Sequence, residues 1–536
     1  MLYISLRHNT KNLKEDGNFC RLKYERILIM RRDIFFSALL AVISVVTFSA
    51  VCCARTKQPV VVADSSVITP ADTLPLVPQQ LVLNGQTHTV HLPQNFSINV
   101  FATGVSGARF MCWSPDSVLY VCAMSSGQVI ALPDHNNDGI ADSNIVVVSG
   151  LNTAHSCEFY HDTLYVAQTD RVTKMIGNSA SRRIQSQQDI VTGILTGHHV
   201  TRTILFDDSS NVFYLSVGSS CNICNDPPQR ACILRFNDDG TGEEVYASGL
   251  RNSVGLAFNP VTHALWANNN GFDDAGNDIP PEVINIIQEG KFYGWPLAYG
   301  DKQFNPRYTI EAGVPMTHDD TVKVLGMEPP IVQVQAHSAP LGLWFYTGNE
   351  LPPDYKNAAF MCYHGSWDRS PATGYKVVRV RGNPDGTNMR VADFLTGFLT
   401  DSINTIRWGR PVGVISDARG DIYISDDYAN VIYRIHYNDP SGVKDHSALP
   451  DGFRMEGVFP DPASSDAVLQ FMAPGAMNVE INIFDDRGDI VKSITNASHP
   501  GENKITLDTS SLPSGFYTAV VKSDRESVSS RFRIVK

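Results

Sequence analysis

Two adjacent histidines, His198 and His199, stand before a strand-like run in "LTGHHVTRTILFDDSSNVFYLSVGSSCNIC" (195–224), and a Cys-x-x-Cys, Cys221 to Cys224, closes the stretch. A neutral imidazole can take a proton from a hydroxyl near physiological pH. Two thiols with a histidine can hold zinc. The same residues can also simply decorate a hairpin, and their spacing leaves all three readings open. Further along the chain, polar residues recur beside strand-like segments: Arg109, His155, His199, Arg251 with Asn252, Asn270 with Gly271, His337, His364 and Arg410. Each one alone is an ordinary solvated loop residue. The set becomes a functional constellation only if the fold gathers it at one place.

The elements that would gather it are legible as a repeat. A strand–turn–strand pattern with an apolar second strand occurs at "WSPDSVLYVCAM" (113–124), "YHDTLYVAQ" (160–168), "FDDSSNVFYLSVG" (206–218), "FNPVTHALWANNNG" (258–271), "YKNAAFMCYHG" (355–365) and "SDARGDIYISDD" (416–427). The turns use Asp, Pro, Gly, Ser and Asn, as tight hairpins require. The second strands are β-branched and aromatic. Six recurrences at nearly one blade length predict an all-β fold, a six-bladed β-propeller, with a large insertion between the fourth and fifth repeats. A pair of β-sandwiches is the rival, and the spacing is too regular for it. A propeller brings loops from every blade to one face, but its fold names no function.

The chain resembles the soluble quinoprotein glucose/sorbosone dehydrogenase family, in its sorbosone- and pyranose-dehydrogenase-like branch. The pieces that carry the resemblance are "GHHVTRTILF", "YLSVGSSCNIC", "ASGLRNSVGLAFNP", "LWANNNGFDD", "YGWP", "AHSAPLGLWFYTG", "HGSWDRSPATGYKVVRVR" and "WGRPVGV", spanning 197–414 in the family's order. The resemblance implies a six-bladed propeller carrying pyrroloquinoline quinone (PQQ) and a Ca²⁺ ion. The implied reaction oxidises an aldose, pyranose or sugar aldehyde at C1 by hydride transfer to the quinone. Such a reaction uses a histidine base for the hydroxyl proton, arginines for the cofactor's carboxylates and a Lewis acid beside the quinone carbonyl. The resemblance makes His199 the base, with His198 the runner-up. It makes Arg251, Asn252 and Arg410 cofactor contacts, with Arg109, His337 and Arg369 as further ones. It places His155 and His364 on the substrate side, and assigns the Ca²⁺ to the backbone carbonyls of Gly271 and Phe272.

The chain also departs from the family pattern. Val412 stands where a second arginine of the last blade is expected, Val254 where a Gln follows the Arg-Asn pair, and His155 where a substrate-side Gln lies. These changes keep a quinone site but count against glucose as the substrate. Two other classes stay open at this level: a non-catalytic propeller that binds carbohydrate or protein, and a Ca²⁺-dependent, lactonase-like propeller hydrolase. The hydrolase needs side-chain carboxylates on its metal. The loop "DHNNDGIAD" (134–142) has the alternating acidic pattern of a Ca²⁺ loop without its closing Glu, and reads as a structural turn.

The ends of the chain read differently from its body. Basic Arg31 and Arg32 followed by an apolar run over 34–51 describe a signal peptide, with Met30 a possible true start. Residues 1–53 are therefore expected to be a leader, 54–80 a Pro- and Thr-rich linker, 81–438 the propeller and 439–456 a second linker. Residues 457–536 are expected to form a small β-sandwich. That last segment, with "VFPDPASSDAV", "INIFDDRGDIV", "LPSGFY" and terminal "RFRIVK", resembles a type IX secretion sorting domain. It implies the type IX secretion machinery as a partner, and a protein secreted or attached to the cell surface by way of the periplasm. In that oxidising setting Cys221, Cys224 and Cys232 favour a disulfide over zinc, and Cys112 and Cys122 are placed to face each other across a hairpin. A net charge of −12 argues against nucleic acid. No Cys-x-x-Cys-His haem signature follows Cys224, so electrons must leave to a separate acceptor.

Overall fold

The computed structural model describes residues 8–15, 18–25, 68–178, 182–438, 454–473, 475–485, 489–523 and 527–536. The expected signal segment lies outside them, as do residues 439–453 of the linker expected at 439–456, whose last three residues open the strand Arg454–Phe459. Near the amino terminus His8–Glu15 pairs antiparallel with Asn18–Glu25 as a separate hairpin.

Among the described residues the main body holds six sheets of four or five strands, numbered in chain order by their first strands, besides three two-stranded ones. Sheet 1 runs Ala108–Trp113, Leu119–Ala123, Gln128–Leu132, Ile145–Ser149. Sheet 2 runs Ser156–Tyr160, Thr163–Ala167, Arg171–Asn178, Arg183–Thr192. Sheet 3 runs Ile204–Asp207, Val212–Val217, Cys232–Asn237, Glu244–Ser248, with Lys291–Phe292 added in parallel. Sheet 4 runs Leu256–Phe258, Leu265–Asn269, Glu282–Ile287, Val332–Val334. Sheet 5 runs Pro340–Phe345, Ala359–Tyr363, Lys376–Arg381, Arg390–Leu395. Sheet 6 runs Pro411–Ser416, Ile422–Asp426, Val431–Tyr437, and takes its outer strand, Phe96–Thr103, from the start of the body.

Each of the six sequence repeats is the hairpin between the first and second strands of one sheet. The second strands are buried on both faces, which explains why "LYVCA" and "AFMCY" read as unbroken apolar runs rather than alternating ones. A separate apolar core fills each junction between successive sheets. Tyr120 and Val166 meet between sheets 1 and 2, Phe206 with Tyr165 between 2 and 3, and Tyr214 with Leu265 between 3 and 4. Trp266 meets Met361 between 4 and 5, Phe360 meets Tyr433 between 5 and 6, and Met111 meets Tyr423 between 6 and 1. The first strand of each sheet also neighbours the first strand of the next, and that of sheet 6 neighbours that of sheet 1. The insertion after the fourth repeat carries two short helices, Tyr308–Glu311 and His318–Leu325, the second opened by a Thr317–Asp320 capping box.

The body begins earlier than residue 81. Leu76–Leu83 and Gln86–Pro93 form a hairpin through Asn84 and Gly85, both at positive φ, which suits a two-residue turn matched to strand twist. Its Leu81, Leu83, Val90 and Leu92 join the core of sheets 5 and 6. Asp72 pairs with Arg379 at 3.0 Å and with Arg381. At the far end, Arg454–Phe459, Asp466–Ala473 and Gly501–Asp508 form one sheet. Met477–Phe484, Ile490–Ser498, Gly515–Lys522 and Ser527–Ile534 form a second. Leu469 and Phe471 of the first share a core with Ile481, Ile483, Ala519 and Val521 of the second.

Cys221 and Cys224 are joined as a disulfide. Cys112 does not face Cys122: in the register it lies opposite Tyr120, and its Sγ meets that of Cys157 of sheet 2 at 3.3 Å, both buried. Within "DHNNDGIAD" the acidic oxygens accept backbone N–H groups, as from Gly139 to Asp134 Oδ2 at 3.0 Å and from Ile140 to Asp138 Oδ1 at 2.8 Å, as a structural turn does.

Candidate active site

In an antiparallel hairpin the start of the first strand and the end of the second lie at the same edge. Arg109, His155, His199, Arg251, Asn252, His337 and Arg410 lie at or just before a first strand. Ser219, Asn270, Gly271, His364 and Asp427 lie just after a second strand. The topology therefore brings the polar residues of all six sheets to one edge. A cavity of about 530 Å³ opens at the opposite edge, beside Asn259, Lys356 and Arg381, and contains none of them.

His199 is half-buried, and its Nδ1 lies 2.9 Å from the Ser219 carbonyl oxygen and 3.0 Å from Ser219 Oγ. A carbonyl only accepts, so Nδ1 carries the proton and Nε2 presents a lone pair. Burial, and next the charge of Arg251, pull the ring's pKa down to about 2, so it is neutral at any physiological pH. His198 is exposed and only stacks edge-on to His199, centroids 4.7 Å apart. A Cβ on Gly218 would fall 2.6 Å from both His199 Cβ and Asn252 Oδ1, so the missing side chain lets those two residues stand side by side.

Arg251 is 3% exposed, and each of its three side-chain nitrogens donates to the protein. Its Nε donates to Asn222 O at 3.1 Å, Nη1 to Gly271 O at 2.5 Å, and Nη2 to Asn222 Oδ1 at 3.0 Å and Asp273 Oδ2 at 2.9 Å. In this structure it is a loop clamp rather than an open cofactor ligand. The same bonds bear on the Ca²⁺ expected at Gly271 and Phe272: the Gly271 carbonyl already accepts from the Arg251 guanidinium. Phe272 is buried at 2% exposure. The Gly271 N–H donates to Glu282 Oε2 at 2.7 Å, and burial raises the Glu282 carboxyl to about 7.

A second group spans sheets 1, 2, 5 and 6. Arg109, 6% exposed, donates from Nε to His155 Nδ1 at 3.1 Å and from Nη1 to Asp427 Oδ2 at 2.8 Å. The His155 proton therefore sits on Nε2, which is fully buried and has no hydrogen-bond partner. Burial drives the His155 pKa well down, with Arg109 adding to the effect. His364 Nε2 lies 2.8 Å from Asp427 Oδ1, and burial lowers that ring to about 4. At neutral pH it is therefore the N–H donor to the Asp427 carboxylate. Burial pushes the Asp427 carboxyl up, but His364 and Arg109 together outweigh it and hold it well below the usual carboxylate range. Arg410 uses Nε on the His364 carbonyl at 3.0 Å and Nη2 on that of Gly365 at 3.1 Å. Among the described residues, no hydrogen bond engages Nη2 of Arg109 or Nη1 of Arg410.

Arg202 links the two groups. It is buried, donates from Nη1 to the His199 carbonyl at 2.9 Å, and its charge lowers the His155 pKa. His337 and Arg369 lie on loops tied to the 276–278 segment. His337 Nε2 meets Gly276 O at 2.9 Å, and Arg369 Nη1 bonds the Asn277 carbonyl and Asp278 Oδ1. Sequence reasoning missed Ser219, Asn222, Asp273 and Asp427. Asp427 had a signal, because it closes the sixth repeat at the position where Asn270 and His364 close theirs.

The chain belongs to the TrAA12-like family, whose model matches residues 90–438. Residues 457–536 match the secretion system C-terminal sorting domain. An uncharacterized protein of Borreliella burgdorferi is 30% identical over 365 residues, covering 66% of this chain and 92% of its own. A pyrroloquinoline quinone-dependent sugar dehydrogenase of Hypocrea jecorina is 22% identical over 395 residues, 64% of this chain and 88% of its own. Among solved structures, the iodide structure of the Trichoderma reesei carbohydrate-active enzyme of family AA12 has a TM-score of 0.56 at 21% identity, covering 68% of this chain and 100% of that one. The holo PQQ domain of Coprinopsis cinerea pyranose dehydrogenase has a TM-score of 0.54 at 21% identity, covering 65% and 97%.

Proposed function

We propose that this protein is a PQQ-dependent dehydrogenase that oxidises an aldose, pyranose or sugar aldehyde at C1. The six sheets are its blades, and the Phe96–Thr103 strand closes a propeller whose loop-bearing edge is the active face. The observation that carries the reading is the state of His199: its proton is fixed on Nδ1 by the Ser219 carbonyl, which leaves Nε2 with a lone pair.

The donor set fits a planar, acceptor-rich polyanion. The orphaned, buried Nε2–H of His155, the spare nitrogens of Arg109 and Arg410, and the Asn252 side chain beside the open Gly218 are the groups that would hold it. When bound, the quinone supplies the two-electron oxidant for the C1 hydride. Arg109 and Arg410 bind and orient carboxylates as charge-assisted donors. His199 Nε2 accepts the substrate's hydroxyl proton. With an anion bound beside it, the charge of Arg251 would be offset and the His199 pKa would rise toward the range where a base works well. His364, held by Asp427, is the histidine assigned to the substrate side. Gly271 and Phe272 are the carbonyls proposed for Ca²⁺, and the Gly271 carbonyl would be shared with the Arg251 guanidinium.

The sorting domain supports release from the cell, or attachment to its surface, by the type IX machinery, after passage through the periplasm. Electrons then leave to a separate acceptor. Titrating the purified chain with the quinone, then screening sugars with a dye acceptor, tests the reading. It predicts saturable one-to-one binding and dye reduction by at least one sugar. Absence of both would sink it.

A further inference from the structure

Asp273, His337 and Asp368 come from three connections. Asp273 follows the second strand of sheet 4, His337 precedes the first strand of sheet 5, and Asp368 follows the second strand of sheet 5. One ligand-type atom from each lies within 4.8 Å of the other two. The His337 side chain is 5% exposed. Its Nε2, 2.9 Å from the Gly276 carbonyl oxygen, must carry the ring proton, because that oxygen only accepts. In the neutral ring Nδ1 is then a bare lone pair. It faces Asp273 Oδ1 at 3.9 Å, beyond hydrogen-bond distance, with no donor between them. Asp273 Oδ2 also accepts from Arg251 at 2.9 Å, and Asp368 Oδ2 accepts from the Asp274 N–H at 2.6 Å.

Three acceptors thus converge on one point from three loops. A proton on Nδ1 would serve one carboxylate and leave the other facing it. A dication satisfies all three. An imidazole whose second nitrogen donates to a backbone carbonyl is also how proteins orient a metal-binding histidine. The other cluster of ligating side chains, Cys221, Cys224 and Asp226, has its two sulfurs joined as a disulfide.

We propose that Asp273, His337 and Asp368 form a binding site for a first-row divalent cation of the Zn²⁺ or Mn²⁺ kind. One imidazole nitrogen with two carboxylates suits such an ion better than Ca²⁺ or Mg²⁺, which take oxygen ligands almost alone. Three protein ligands leave a position for water. The ion clasps the loop bearing His364 and Arg369 against the loop that Arg251 holds, so it orders the rim of the active face. This inference stands apart from the quinone reading and survives its failure.

The test uses the full chain with its disulfide intact, stripped with a chelator and titrated calorimetrically with Zn²⁺, Mn²⁺ and Ca²⁺. Co²⁺ absorption reports the coordination environment. One equivalent of Zn²⁺ or Mn²⁺ is expected to bind and to raise the melting temperature. Asp368→Asn and His337→Gln are each expected to weaken binding by at least about tenfold and to abolish that rise. Asp368 is partly exposed, so Asp368→Asn is the variant expected to keep its fold, checked by circular dichroism. No saturable binding of either ion to the wild type overturns the proposal. Binding undiminished in both variants, or Ca²⁺ bound more tightly than Zn²⁺ and Mn²⁺, does the same.

Discussion

Asp427→Asn tests whether one carboxylate organises the active face. Asp427 accepts from Arg109 Nη1 and from His364 Nε2, each at 2.8 Å. An amide oxygen can still accept one of these bonds, but its nitrogen then faces the other donor. Arg109, 6% exposed, is left with a buried charge and no counter-ion. Breaking a buried pair from one side costs about 3–5 kcal/mol. Two charge-assisted bonds at about 1.5–3 kcal/mol each give about 3–6 kcal/mol, which overlaps that range. At about 2 °C per kcal/mol for a large domain, the melting temperature should fall by roughly 6–10 °C. The pH dependence has a definite sign. The folded carboxyl titrates below its unfolded value of about 3.9, so its stabilisation is complete above that pH and is lost on acidification toward the folded pKa. Urea melts of wild type and variant should therefore differ fully at pH 7 and less at pH 3. A variant within about 0.5 kcal/mol of wild type at pH 7, or a difference that grows on acidification, refutes the reasoning.

Gly218→Ala puts a methyl 2.6 Å from His199 Cβ and Asn252 Oδ1, and should cost about 1–3 kcal/mol of stability together with a measurable loss of quinone affinity in a fluorescence titration. Arg251→Ala should destabilise the chain by about 3–5 kcal/mol in urea melts, because it leaves Asp273 without its counter-ion and frees the Gly271 carbonyl. If that variant instead keeps full stability and loses only cofactor affinity, Arg251 is a ligand and not a clamp. Removing residues 457–536 should leave quinone binding unchanged and hold the protein in the periplasm. Cell fractionation that still finds the truncated chain at the surface or in the medium would show that the segment does not direct secretion.

The six hairpins were legible because each combines turn chemistry with a second strand buried on both faces, both of them local properties. The strand that completes sheet 6 was not, since Phe96–Thr103 pairs with Val431–Tyr437 more than three hundred residues away and nothing local records it. The early start of the body had a signal in Asn84-Gly85, flanked by alternating apolar residues. It was outweighed by the Pro- and Thr-rich composition before it. Asp72 had none, because its partners Arg379 and Arg381 lie in sheet 5. At the site, residue types showed which side chains can bind or move protons. They did not show which hydrogen bonds were already taken, and so Arg251 read as a cofactor ligand while its own loops occupy it. The difference between His198 and His199 rested on the Ser219 contact, which spacing cannot reveal.

The most direct test of the account is His199→Gln in the reconstituted protein, with quinone affinity and the single-turnover rate of quinone reduction by sugar measured on the same sample. The base acts on the substrate hydroxyl, so affinity should stay within about threefold while the reduction rate falls by about 10²–10⁴-fold, the usual worth of a positioned base. His198→Ala, at an exposed position, should leave both near wild type. Reduction at the wild-type rate in His199→Gln, or its loss in His198→Ala alone, would contradict the account.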